Sequence, residues 1–123
     1  MSPSSPISPS ELARLERKLR QRTRTIREAL EALTLLGSGT LTTRTKVCGQ
    51  KSCRCALDPA ARHGPYHEWT RRVEGRYRHS VVSPRQAELL QRAIANYREA
   101  QRLLRLWEAE TAKLILESED LKR

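Results

Sequence analysis

Residues 66–84 read YHEWTRRVEGRYRHSVVSP, and this stretch decides the fold. Two runs with strand-forming residues, 66–73 and 76–82, flank Glu74-Gly75. Glu-Gly is a two-residue turn signal, weaker than Asn-Gly, so the two runs predict an antiparallel hairpin. The run then stops at Ser83, which reads as a helix N-cap. Pro84 takes the first helical position, and Gln86, three residues after Ser83, completes a capping box.

Outward from the hairpin, both flanks read as helices. Downstream, Leu90, Tyr97, Leu104 and Thr111 recur every seventh residue, with Ala93, Ala100, Trp107, Leu114 and Leu121 three further on, which predicts a helix over 83–119 and a short tail at 120–123. Upstream the same opening recurs as Ser8-Pro9 with Glu11. Leu12, Leu19, Ile26 and Leu33 then form one row, and Leu15, Ala29 and Leu36 a second, which Arg22 interrupts. Gly37 reads as the C-cap, so helix one is expected over 9–37, about 42 Å for its helical residues at 1.5 Å each. Residues 1–8 are rich in Ser and Pro and are expected to be a disordered tail.

Between the helices, Thr40 to Val47 contribute further β-formers. The expected fold is therefore α+β and mostly α: two long antiparallel coiled-coil-like helices flank a small three-stranded, zinc-braced β module at 38–82, all within one domain. The helices can also pair between chains, giving a homodimer. No apolar run approaches the roughly 18 residues of a membrane span, and no signal-peptide pattern opens the chain. A cytoplasmic protein is expected, nucleoid-associated if DNA is its partner.

The module contains Cys48-Gly-Gln-Lys-Ser-Cys53-Arg-Cys55, then His63-Gly-Pro-Tyr66-His67. Three tightly spaced cysteines do not form a secreted disulfide framework. Three thiolates and one imidazole suit tetrahedral structural zinc, with Cys48, Cys53, Cys55 and His63 as ligands. His67 is the substitute for His63, although it falls inside a predicted strand. Two other readings stay open: reduced cysteines packed in a small core, and a reactive thiol. The second lacks an evident orienting group for a base.

Charge supplies the functional argument. The chain carries 24 Lys and Arg against 14 Asp and Glu, a net +10. Residues 40–82 hold nine basic and three acidic side chains, against seven and four in 1–39 and eight and seven in 83–123. The middle module is thus the most basic segment, and a polyanion is the expected partner. Candidate phosphate contacts there are Arg44, Lys46, Lys51, Arg54, Arg71, Arg72, Arg76 and Arg78. On helix one, Arg17, Arg20, Arg24 and Arg27 follow a 3–4 spacing and form a ridge that can lie along phosphates, or else pair with Glu99, Glu108 or Glu110. Arg71 should stand opposite Arg78 across the hairpin, on the face of Trp69 and His67. Tyr66, Arg72 and Tyr77 share the other face, and these aromatics either stack bases or pack the sheet.

The string VCGQKSCRCA, then HGPY, the EGRYRHSVV hairpin and a helix with NYREAQRLL resemble a family of small bacterial proteins of uncharacterised function that share a CG-x3-CRCA…HGPY core. The resemblance spans about 39–107 and matches Cys48, Cys53, Cys55 and His63. It departs at Leu57–Arg62, where the family has a shorter, Gly-containing loop. Such proteins are often encoded near transposases, which implies an accessory or regulator of a mobile element. The expectation is a non-enzymatic DNA- or RNA-binding protein; no paired carboxylates, phosphate-binding glycine loop or triad is present. The alternative is a coiled-coil adaptor for a larger protein partner such as a transposase.

Overall fold

The computed structural model describes residues 6–47 and 49–120, with the side chains of Lys46, Glu119 and Asp120 outside the description. In chain order the elements are helices α1 (Pro9–Arg22) and α2 (Arg24–Glu31), strand β1 (Thr40–Lys46), two single 3₁₀ turns (Arg54–Ala56 and Pro59–Ala61), strands β2 (His63–Val73) and β3 (Arg76–Val82), and helix α3 (Pro84–Asp120). The fold is α+β, as the sequence implies. Residues up to Leu33 together with those from Glu99 onward form one compact unit, and Thr34–Arg98 form the other.

The second unit is built on an antiparallel sheet of order β1-β2-β3. Its hairpin turns at Glu74-Gly75, where φ is 51° and 79°. Two successive positive φ values are what a two-residue type I′ turn requires, and they match the right-handed twist of the flanking strands. Strand β2 starts at His63, three residues before its expected beginning. Register shifts between Arg44 and Lys46, whose partners are Tyr66 and His63. Gly64 and Pro65 thus stand against the single residue Thr45, and this bulge accommodates a proline that has no N–H to give the ladder.

Both faces of the sheet follow from register. Leu41, His67, Trp69, Arg71, Ser80 and Val82 are half-buried on one face. Trp69 there donates its indole N–H to the Ser38 carbonyl at 2.9 Å. On the other face Thr40, Thr42, Arg44, Arg72, Tyr77, His79 and Val81 are exposed. Ser83 and Gln86 make the reciprocal capping box at the start of α3, with bonds of 3.1 and 2.9 Å between side chains and backbone N–H groups. At α1, Ser8 Oγ accepts from the Glu11 N–H at 3.2 Å.

Helix one departs from expectation twice. It breaks at Thr23, and it ends at Glu31, well before Gly37. Thr23 is 1% exposed, and its hydroxyl donates to the Leu19 carbonyl at 2.8 Å while accepting from Arg27 Nε at 3.2 Å. A threonine hydroxyl bonded back to the preceding turn bends a helix. After Glu31 the chain finds other partners for its backbone. The Leu35 carbonyl accepts from Asn96 Nδ2 at 2.9 Å, and the Gly37 N–H donates to the Ala93 carbonyl at 3.2 Å. Gly37 is therefore a contact to α3, not a C-cap.

Among the described residues few side chains are buried: Thr23, Ala100, Leu103 and Leu114 in the first unit, and Cys55, Ala87 and Ala93 in the second. The first unit is also tied by Arg22, the residue that interrupts the apolar row of helix one. Its guanidinium meets both Glu117 carboxylate oxygens at 2.7 and 3.3 Å. The hydrogen bond from Arg22 holds the Glu117 carboxyl below the ordinary glutamate range. A depressed carboxyl contributes stability above its unfolded pKa of about 4.3 and loses it as the pH falls through the folded value. Glu117→Gln should therefore lower the Tm slightly at neutral pH and low salt, and not at pH 3, as thermal melts at the two pH values would record. The pair is exposed, so added salt should shrink the difference.

Candidate metal centre and basic hairpin

The chain reaches the cluster through a series of tight turns. The Cys53 N–H donates to the Gln50 carbonyl at 3.1 Å, closing a turn that exposes Lys51. Cys53 then precedes the 3₁₀ turn Arg54–Ala56, which buries Cys55 to 1% exposure. The Leu57–Arg62 insert forms a second 3₁₀ turn, capped by Asp58, whose carboxylate accepts from the Ala60 N–H at 3.0 Å. The bulge at Gly64-Pro65 follows, and His63 stands at the head of β2.

These turns bring Cys53, Cys55 and His63 together. Their ligand atoms all lie within 4.8 Å of one another, and Cys53 Sγ is 3.3 Å from His63 Nε2. Ligands on a tetrahedral zinc ion, at 2.3 Å for sulfur and 2.0–2.1 Å for nitrogen, stand about 3.5–3.8 Å apart. The three residues can therefore hold a metal ion with little movement. His63 is the histidine in the cluster; His67 Nδ1 is 2.9 Å from Thr43 Oγ1, on the face of the sheet that carries Trp69. Cys48, the other expected ligand, lies outside the described residues.

The candidate phosphate contacts do not share one surface. Arg44 and Arg72 lie on the exposed face of the sheet, while Arg71, Arg76 and Arg78 lie on the face of Trp69. Arg71 does stand opposite Arg78, but no phosphate is needed to relieve them. The Arg71 guanidinium packs 4.1 Å from the Trp69 ring centroid and donates to Ser80 Oγ at 2.9 Å. That couples Arg71 to the sheet itself. Arg44 pairs with Glu68 at 3.2 Å. Exposed Arg72, Arg76 and Arg78 flank the hairpin turn, and among the described residues they have no carboxylate partner. Arg54 is exposed beside the cysteines, 3.9 Å from Asp58, and the Lys46 side chain lies outside the description.

On α1 and α2, Arg17, Arg20, Arg24 and Arg27 do line one open hollow, with Gln21 and Glu28. Two of the four are engaged locally. Arg24 pairs with Glu28 at 2.9 Å, and Arg27 donates to the Arg20 carbonyl at 2.7 Å and to Thr23. Of the acidic partners expected on helix two, Glu99 pairs with Arg102 and Glu110 with Lys113 in its own helix. Glu117, paired with Arg22, was not among the expected partners. Nothing in the spacing of the two helices singled out that pair.

No curated protein and no solved structure matches the chain. One family model does, described as a domain of unknown function, DUF6788, and it covers residues 13–92. That span holds α1 from Ala13 onward, α2, the whole sheet with its Cys/His cluster, and the start of α3. The chain belongs to the DUF6788 family.

Proposed function

We propose that the protein is a non-enzymatic nucleic-acid-binding protein whose basic β-hairpin contacts phosphates and whose module is braced by zinc. The observation that carries the reading is the group of exposed, unbalanced guanidiniums of Arg72, Arg76 and Arg78 around one turn, in the most basic third of a chain of net charge +10. Arginine's planar fork suits phosphate oxygens. Arg17 and Arg20 on α1 extend the same chemistry to the first unit.

Zinc fits the donor set. Thiolate and imidazole ligands favour zinc over hard cations such as magnesium or calcium. Cys53, Cys55 and His63, with Cys48 as the fourth donor, would hold it. The metal's role is to supply folding free energy to a sheet with little apolar core. Resemblance to proteins encoded beside transposases extends the reading to an accessory or regulator of a mobile element.

The test is affinity for a labelled oligonucleotide as salt is raised. Each phosphate contact releases counterions, so log affinity should fall linearly with log salt. Replacing Arg72, Arg76 and Arg78 together by Ala should reduce the magnitude of that slope by about 2–3. Binding that ignores salt, or a triple variant with the parent slope, would contradict the reading.

A second reading is favoured by α3, where Leu104, Ile115 and Leu116 are exposed. Such a helix can pair with a partner helix in a coiled-coil adaptor or a homodimer. A complex with a protein that survives nuclease treatment, in a chain that fails the salt test, would select it.

A further inference from the structure

The exposed face of the sheet presents a different chemistry from the arginines at its turn. Tyr77 is 68% exposed there, directly opposite Arg72, whose guanidinium lies 5.5 Å from the ring centroid. Along the same face follow His79, with Nδ1 held 2.9 Å from Thr70 Oγ1, and exposed Val81. At the far end Arg44 and Glu68 neutralise one another at 3.2 Å. Among the described side chains Arg72 is thus the charge of this face without a carboxylate partner, and it lies beside the exposed ring. On the opposite face His67, Trp69, Arg71, Ser80 and Val82 are half-buried, with Trp69 bonded to the Ser38 carbonyl, whereas the Tyr77 ring is left exposed.

An exposed aromatic ring next to an uncompensated cation, on a flat β surface, matches one kind of polyanion. A base must offer its π-face to stack on tyrosine, and in a duplex both faces are already covered by neighbouring base pairs. An unpaired strand offers that face with a phosphate one bond system away, within reach of an arginine. A duplex would not use the ring. We infer that this face is a stacking platform for single-stranded nucleic acid, with Tyr77 receiving a base and Arg72 the adjoining phosphate. The inference rests on the nucleic-acid reading above and narrows it to unpaired strands.

The experiment measures fluorescence anisotropy of one labelled oligonucleotide of mixed sequence, single-stranded or annealed to its complement, with the full-length chain. The parent should prefer the single strand. Tyr77→Ala should weaken single-strand binding on the order of tenfold and leave duplex binding within about twofold, the scale of one lost base–aromatic stack. Tyr77→Phe, which keeps the ring, should retain the parent affinity. The ring is exposed, so circular dichroism should show both variants folded. If the parent binds both forms and Tyr77→Ala weakens neither or both alike, the platform is wrong while the nucleic-acid reading stands. If the parent binds neither form, both are wrong.

Discussion

If zinc braces the module, Cys53→Ala and Cys55→Ala are each expected to abolish metal binding and to unfold the sheet of residues 40–82, with nearly equal effect. The equality is the informative part. Cys55 is buried and Cys53 only half so. If the thiols merely packed, Cys55→Ala would cost on the order of 1 kcal/mol for its cavity. Cys53→Ala would then stay within about 0.5 kcal/mol, as substitutions near a surface usually do. If both hold zinc, exposure is irrelevant, because either loss breaks the same tetrahedron. Structural zinc contributes on the order of 10 kcal/mol in small domains at neutral pH. Among the described residues of the second unit the buried ones are Cys55, Ala87 and Ala93, three small side chains that can replace little of that contribution. Hydrogen exchange of the sheet amides, with metal content measured alongside, separates the two cases. Full protection in either metal-free variant would remove the brace.

Gly39→Ala should be the most damaging single substitution away from the cysteines, at about 3 kcal/mol or more. Gly39 has φ +107°, a conformation that L residues rarely adopt. A Cβ there would run into the Thr70 carbonyl oxygen, and would lie 3.0 Å from Trp69 Nε1 and 3.2 Å from Arg71 Cβ. The obstacle is backbone in the central strand, so no side-chain rotation relieves it. Backbone strain of about 1–3 kcal/mol and overpacking of similar size act together. The substitution would also disturb the Trp69–Ser38 bond next to it. Gly75→Ala is the control. Its φ is +79°, but the added Cβ meets nothing within 4 Å, so only the conformational cost of about 1 kcal/mol remains. Denaturant melts of the two variants should therefore differ by about 2 kcal/mol or more, and equal midpoints would show that Gly39 is not wedged against β2.

What the sequence made legible follows from how local each cause is. The Glu74-Gly75 turn, the Ser83–Gln86 cap and β3 are decided by neighbouring residues, and the structure has them where expected; β2 begins three residues early, at His63. Helix one differs from the heptad expectation because its causes are not local. Leu33 and Leu36 keep the heptad phase, yet Asn96 and Ala93 capture the backbone at Leu35 and Gly37, and the helix stops at Glu31. A threonine at position 23 tells nothing of its burial until the packed structure is seen. The choice of His63 over His67 depended on a bulge that the His-Gly-Pro string hinted at without fixing its register. The arginines were visible as charge, but only the fold divides them into Arg71, stacked on Trp69, and Arg72, Arg76 and Arg78, which are exposed.

If zinc braces the basic hairpin, one titration reaches both the metal centre and the contact surface. The full-length chain is stripped of metal with a chelator, and zinc is returned stepwise while binding to a labelled oligonucleotide is followed. Affinity should be lost in the stripped chain and return in proportion to zinc, saturating at about one ion per chain, as expected when metal binding drives folding of the contact surface. A stripped chain that binds as tightly as before, with the same salt dependence, would contradict the claim.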